Sequence, residues 1–309
     1  MNRNRLKIVA LLCILVSLAC GCGKNSLDRE ADSMSAQLAG ITSKGTVTTT
    51  PMFSDLYGAS GFMVYACGHS DASKVAVESK PFVKNGTVWA PATKILWPGY
   101  ATDFFAWAPY DAEKIVFSAS EKSISYIVPT DVTLQQDLLV TKVENVPALY
   151  NTPLDLSFDH ALAAVKLVTG SDFPGGEAIK SISLCNVNLT GKYQFTPAPD
   201  TEAWTELSGI GTMTLDKSAS DDLIPSENAG MPITGNDETF FVIPQACTDD
   251  VHLEILYGEK MKYNYLPEDL VFHQGECVTL QVDGKDDWFY ATVVRVEHRT
   301  DVDAGAMSI

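Results

Sequence analysis

Cys20 and Cys22 are the residues of this chain best placed for chemistry. They follow the apolar run Ile8–Val16 and the small residues Ser17 and Ala19, so a thiol stands where a processing enzyme would cut. The chemistry open to a thiol at that point is acylation. Elsewhere the patterns of catalysis are missing. No Gly-x-x-x-x-Gly-Lys-Ser/Thr phosphate loop occurs, no His-Glu-x-x-His and no Gly-x-Ser-x-Gly. Gly209-Ile210-Gly211 lacks the third glycine of a dinucleotide loop. The histidines His69, His160, His252, His273 and His298 are scattered, and none has a second His or a Cys pair at metal-ligand spacing. Asp159-His160 joins an acid to a base in sequence only, because neighbours on a strand face opposite sides of the sheet. The acidic pairs Asp221-Asp222, Asp249-Asp250 and Asp286-Asp287 lie in turn-like text, where carboxylates are solvated. The expectation is a protein with no catalysis, no metal and no cofactor.

The elements that position the two cysteines form an export signal. Arg3, Arg5 and Lys7 make a basic head, and the apolar run behind them is shorter than the roughly 20 residues that span a bilayer. With a cysteine at the cut, the arrangement resembles a bacterial lipoprotein signal, residues 1–19, in which the cysteine becomes the lipidated first residue. Cys20 is the expected lipidation site, with Cys22 as the alternative. Such signals carry Leu three residues before the cysteine, whereas Cys20 has Ser17 there and Cys22 has Ala19.

The whole chain has 309 residues and a formal charge of −17. A signal with three basic and no acidic residues leaves the remainder more acidic still. That surface excludes nucleic acid, whose phosphates need Lys and Arg, and electrostatic binding to anionic lipid. A hydrophobic fraction of 46% allows a sizeable core. Cys67, Cys185, Cys247 and Cys277 are widely spaced, and Cys67 and Cys185 sit beside apolar residues, which predicts buried free thiols.

Residues 20–60 are small and polar and read as a leader, with one strand expected around Gly45–Thr50. Beyond Gly61, short runs rich in Val, Ile, Phe and Tyr alternate with turn residues. Phe62–Tyr65, Ile115–Phe117, Ser123–Val128, Ile179–Leu184, Phe240–Ile243, His252–Tyr257 and Val278–Val282 all have this form. They predict an antiparallel β-sandwich architecture. Leu154–Val168 changes phase midway, and strands on either side of a bulge at His160–Leu162 are expected. Asp131–Leu139 suits a short helix. The loop at Tyr150–Pro153 is the expected boundary between domains at 61–150 and 151–309. Trp89, Trp97 and Trp107 read as core residues, the competing reading being an exposed sugar platform.

Several blocks follow one another along the chain. They are Ile95-Leu96-Trp97-Pro98-Gly99, Asp103-Phe104-Phe105-Ala106-Trp107-Ala108-Pro109 and Gln136-Asp137-Leu138-Leu139-Val140. Then follow Leu154 to Lys166, containing Phe158-Asp159-His160-Ala161-Leu162-Ala163, then Val242-Ile243-Pro244-Gln245 and Phe272-His273-Gln274-Gly275. Over roughly residues 60–285 the chain resembles the fimbrillin-like proteins of Gram-negative anaerobes. The resemblance implies two transthyretin-like antiparallel β-sandwich domains in tandem after a lipoprotein signal. It implies a surface pilus subunit or pilus-associated protein, exported to the outer membrane on a lipid anchor. Its partners would be other fimbrial subunits joined by strand addition, with host or bacterial surface ligands for adhesion. In stalk members an Arg-specific protease removes an N-terminal strand, and a strand of the next subunit fills the groove.

Two features bear on that implication. Trp288–Val296 is strand-like, with Trp288, Tyr290, Thr292, Val294 and Val296 on one face, and is the candidate donor strand; the other reading is an ordinary last strand. The tail from Arg299 is small and polar. Between the signal and Arg295 the only arginine is Arg29, and a cut there would release only a short polar piece. Maturation is therefore expected at Arg29 or Lys44, or the protein keeps its lipid as a tip, anchor or accessory member. The alternative function is a monomeric surface lipoprotein that binds glycans or host matrix.

Overall fold

The computed structural model describes residues 35–37, 61–85, 88–93, 95, 98–110, 113–148, 154–218, 229–267, 269–285, 288–299 and 302–308. Their regular structure is almost entirely β-strand, joined by turns and loops. In chain order these are β1 (Ser35–Gln37), β2 (Gly61–Gly68), β3 (Val75–Asn85), β4 (Val88–Pro91), β5 (Thr102–Ala108), β6 (Ile115–Ser118) and β7 (Ser123–Ile127). Next come β8 (Leu139–Val146), β9 (Leu154–His160), β10 (Ala163–Thr169), β11 (Ile179–Gln194), β12 (Trp204–Asp216), β13 (Phe240–Val242) and β14 (Gln245–Ala246). The last are β15 (His252–Tyr257), β16 (Lys260–Tyr265), β17 (Val271–Phe272), β18 (Glu276–Lys285), β19 (Trp288–His298) and β20 (Val302–Ser308). The expected helix near 131–139 is a single 3-10 turn, Val132–Leu134, capped by the Asp131 carboxylate accepting from Thr133 N. No helix among the described residues is long and apolar enough to cross a membrane.

The first unit closes as a barrel in the order β1-β20-β9-β8-β5-β2-β3-β4. Alternation along β2 explains why. Phe62, Val64 and Ala66 point inward and join Phe82, Trp89, Phe104 and Phe158 in the barrel core. Tyr65 and Cys67 point outward, yet they are buried too. The same holds for β5, with Phe104 and Ala106 inside and Phe105 and Trp107 outside. Strands buried on both faces read as continuous apolar text, which is how β2 and β5 look in sequence.

The second unit is a sandwich. One layer runs β16-β15-β11-β7-β6, with β12 also pairing β11, and the other runs β13-β10-β18-β19. Val165, Leu167, Val278 and Leu280 of the second layer belong to one core with Ile182, Leu184, Leu253 and Ile255 of the first. That core continues onto the outer face of the barrel. There Trp107 stacks on Phe117 at 4.7 Å and 19°, and Phe105 meets Phe195 edge-on at 5.5 Å. The all-β architecture of mostly antiparallel sheets is as expected, with two differences: the first unit's sheet closes into a barrel, and β10 and β18 run parallel.

Strand pairing also crosses the boundary expected at residue 150. β8 pairs with β9 in the barrel, β20 returns to it from the far end of the chain, and β7 pairs with β11 in the sandwich. The phase change in Leu154–Val168 is a crossover between units rather than a bulge in one strand. β9 ends in the barrel at His160 and β10 begins in the sandwich at Ala163. The four body cysteines are free and buried.

Candidate assembly interface

The chain passes between the two units at Ala161–Leu162, between β9 and β10, and again at Arg299, between β19 and β20. Both passages meet at one buried ionic cluster. Arg299 donates from Nη1 to Asp137 Oδ2 at 2.7 Å and from Nη2 to the Leu162 carbonyl. The same Asp137 oxygen is hydrogen-bonded to His160 Nδ1. Backbone bonds complete the join: Ala161 N to Leu138 O at 2.8 Å, Gly275 N to Leu162 O at 3.1 Å, and Arg299 N to Gly275 O at 2.7 Å. Trp204 Nε1 donates to the Ala161 carbonyl at 2.7 Å. Burial by itself would push the Asp137 carboxyl up. The charges and hydrogen bonds of Arg299 and His160 outweigh it and hold the group below its ordinary value.

This cluster accounts for the block Phe158-Asp159-His160-Ala161-Leu162-Ala163. Phe158 fills the barrel, Asp159 faces solvent, and His160 turns inward to Asp137. Asp159 and His160 do not meet, as alternation requires. His160 and Arg299 are buried and Asp137 nearly so, and their bonds clasp the two crossovers together.

Just beyond the clasp, β20 enters the barrel between β9 and β1. Val302 pairs with Phe158, Asp303 with Ser157, Ala306 with Asp155 and Met307 with Leu154, with an irregularity between Asp303 and Ala306. On its other side, Ser308 and Met307 pair with Ser35 and Ala36 of β1, which pairs in turn with β4. The last strand of the chain and a strand of the leader therefore complete the barrel wall.

The candidate donor strand Trp288–Val296 lies elsewhere. It forms β19, paired antiparallel with β18 from Lys285↔Trp288 to Glu276↔His298. In this copy it is paired with β18 along its length. Its buried face carries Phe289 and Ala291. Trp288 (64% exposed), Tyr290, Thr292, Val294 and Val296 face solvent, and Val294 stands at a bulge. Asn264 of β16 covers part of the outer edge, its Oδ1 accepting from Ala291 N at 2.8 Å. The sequence reading missed β20; the tail's small residues gave little strand signal.

Cys20, Cys22, Arg29, Lys44 and the strand expected at Gly45–Thr50 lie outside the described residues, as does Trp97. Trp89 and Trp107 are 3% and 4% exposed, each in a core. The sugar platform expected as the competing reading of that cluster loses those two rings.

A family profile described as fimbrillin-like matches residues 53–297. Solved structures agree in fold. A Bacteroides ovatus protein provisionally assigned to cell adhesion aligns with a TM-score of 0.61 at 13% identity, over 87% of this chain and 98% of its own. A Bacteroides uniformis protein with the same provisional assignment gives 0.54 at 13%, over 87% and 99%. The C-terminally truncated tip fimbrial protein of Porphyromonas gingivalis gives 0.50 at 11%, over 85% and 97%. No curated protein is matched in sequence. The profile spans most of the chain and the barrel-plus-sandwich fold agrees with it: this protein belongs to the fimbrillin-like family.

Proposed function

We propose that this chain is a non-enzymatic subunit of a cell-surface fimbrium and joins its neighbours by exchanging its terminal strand, in support of adhesion. A fimbrial or adhesion-related role follows from the family. The observation that carries the finer reading is the position of β20. It is the last of the described strands, yet it completes the wall of the first unit, whereas β19 before it lies in the second. Without it, β9 and β1 each present a row of unpaired backbone groups. The tail of a second copy has the same sequence, so it makes the same pairs in the same slot.

The leader fits this reading. β1 (Ser35–Gln37) lies between the two candidate cleavage sites. A cut after Lys44 detaches β1 from the body and opens the wall between β4 and β20. A cut after Arg29 leaves β1 in place. Lys44 is accordingly the maturation site of this proposal, and a lipid on Cys20, with Cys22 as the alternative, holds the precursor at the outer membrane. The chain's partners are then other fimbrial subunits and, at the tip of the path, host or bacterial surface ligands.

The experiment is a truncation ending at Arg299, compared with the full chain in surface preparations run unheated on denaturing gels. The full chain gives a ladder and the truncated chain a single band. A ladder from both would remove β20 from assembly. A second reading, a monomeric surface lipoprotein that binds glycans or host matrix, draws on the exposed rings of Trp288, Tyr290, Tyr263 and Tyr265. Glycan capture abolished by Trp288→Ala, with no ladder from the full chain, favours it.

A further inference from the structure

We propose that Cys185, His252 and Glu254 form a zinc-class divalent-cation site on the outer face of the sandwich, unrelated to strand exchange. Their ligating atoms, one from each side chain, all lie within 4.8 Å of one another. The sheet makes this so. Cys185 of β11 stands directly opposite His252 of β15, and Glu254 is two residues along β15 on the same face, opposite Ser183. In sequence the cysteine is far from the other two, so no ligand spacing announces them.

The hydrogen bonds prepare the site. His252 Nδ1 lies 2.7 Å from the Asp250 carbonyl, and a carbonyl can only accept, so the proton sits on Nδ1. Nε2, the other ring nitrogen, lies 3.3 Å from Glu254 Oε1, a contact that a ring proton can bridge and that a cation bound beside both atoms can replace. The Cys185 thiol is the third atom of the set and brings at most one weak S–H donor. Burial pushes the Cys185 thiol up and the Glu254 carboxylate adds to this, against a hydrogen bond from Thr212, so the sulfur enters the set as a thiol and gives up its proton only to a bound cation. Fixing a ligand imidazole by a bond from its other nitrogen to a carbonyl is how protein metal sites orient histidine.

The size is right. Tetrahedral zinc with bonds of about 2.0–2.3 Å separates its ligand atoms by about 3.3–3.8 Å, and the His252–Glu254 pair already has that spacing. One nitrogen, one oxygen and one sulfur suit a borderline cation rather than calcium or magnesium. His252 and Glu254 are half-buried and Cys185 is buried, so an ion can enter and a water can take the fourth position. Tyr265 and Tyr263 flank the imidazole, with ring centroids 5.7 and 6.3 Å away, and limit solvent around it. On binding, the thiol releases its proton to water and the sulfur donates an electron pair to the ion; nothing is oxidised.

The test titrates zinc into chelator-treated full-length protein against a chromophoric chelator. One equivalent binds tightly. Cys185→Ser and His252→Ala each weaken it at least about 100-fold, since loss of supporting groups alone costs 10–100-fold. Cys247→Ser, buried elsewhere in the core, leaves it unchanged. A second measurement needs no variant: cobalt(II) at the site shows an intense near-ultraviolet thiolate-to-metal band. Absence of tight binding overturns the proposal. So does binding that survives both Cys185→Ser and His252→Ala, as it would if the leader cysteines held the ion, or a cobalt complex with no thiolate band.

Discussion

Arg299→Ala should be among the most damaging single substitutions in this protein. The side chain is buried and its two terminal nitrogens serve different partners, the Asp137 carboxylate and the Leu162 carbonyl. Truncation leaves the carboxylate in a low-dielectric setting with His160 as its remaining hydrogen-bond partner in the cluster. Removing one member of a buried ion pair costs about 3–5 kcal/mol, most of it the stranded charge. For a chain of this size that corresponds to roughly 6–20 °C in Tm, at about 2–4 °C per kcal/mol. Arg299→Lys keeps the charge, but one ammonium cannot reproduce the two-pronged geometry, so about 1–3 kcal/mol is lost. Adding Asp137→Asn to Arg299→Ala should recover part of the loss, with a coupling of about 0.5–3 kcal/mol. Urea titration followed by tryptophan fluorescence reads this locally, because the Trp204 indole is bonded to Ala161 beside the clasp. A loss below about 1 kcal/mol, or strictly additive substitutions, would refute the clasp.

Four further outcomes can be measured. The Asp137 carboxyl is held below its ordinary value because Arg299 and His160 outweigh the opposing effect of burial. Its contribution to stability is therefore full above the unfolded value of about 4 and disappears as pH falls through the lower folded value. Urea midpoints between pH 7 and 3 should fall in that window and fall less steeply in Arg299→Ala. Trp107→Ala empties the stack on Phe117 between barrel and sandwich and should cost about 3–5 kcal/mol by calorimetry. Gly170→Ala puts a methyl 1.8 Å from Asp283 Oδ1, which accepts from Asp172 N at 2.8 Å. Displacing that carboxylate should cost about 1–3 kcal/mol by urea denaturation. Intact mass of protein from the cell surface should show a start after Lys44 in assembled material and an acylated Cys20 or Cys22 in the precursor. Assembled protein starting at Glu30 would refute the Lys44 assignment.

The strands were legible because alternation and β-branched runs report local geometry directly. Alternation says which residues share a face, but not which sheet they join. That is why Leu154–Val168, correctly seen as two phases, is a crossover between units and not a bulge. The same limit applies to β19: alternation puts Trp288 and Tyr290 on one face, and only the fold shows that Phe289 and the small Ala291 face the core while the large rings face solvent. β20 was illegible because Ala304-Gly305-Ala306 has weak strand preference; its pairing is decided by the barrel edge it meets. The clasp was half visible, in a lone histidine expected to be structural, while its partners Asp137 and Arg299 are distant in sequence and needed the fold to meet. Cys185, His252 and Glu254 were invisible for the same reason, since a cross-strand pair has no fixed sequence spacing.

The central claim is that β20 fills its own barrel in a free copy and a neighbour's barrel in the fimbrium. Asp155 and Ala306 are direct partners across β9 and β20. Opposed residues in an antiparallel pair have Cα atoms about 4.5–5.5 Å apart, inside the range a disulfide spans. In protein carrying both Asp155→Cys and Ala306→Cys, oxidised free subunits should hold the bond within one chain. Oxidised assembled fimbriae should hold it between chains, giving a ladder under full denaturation that collapses on reduction. Bonds confined to single chains in assembled material would contradict strand exchange.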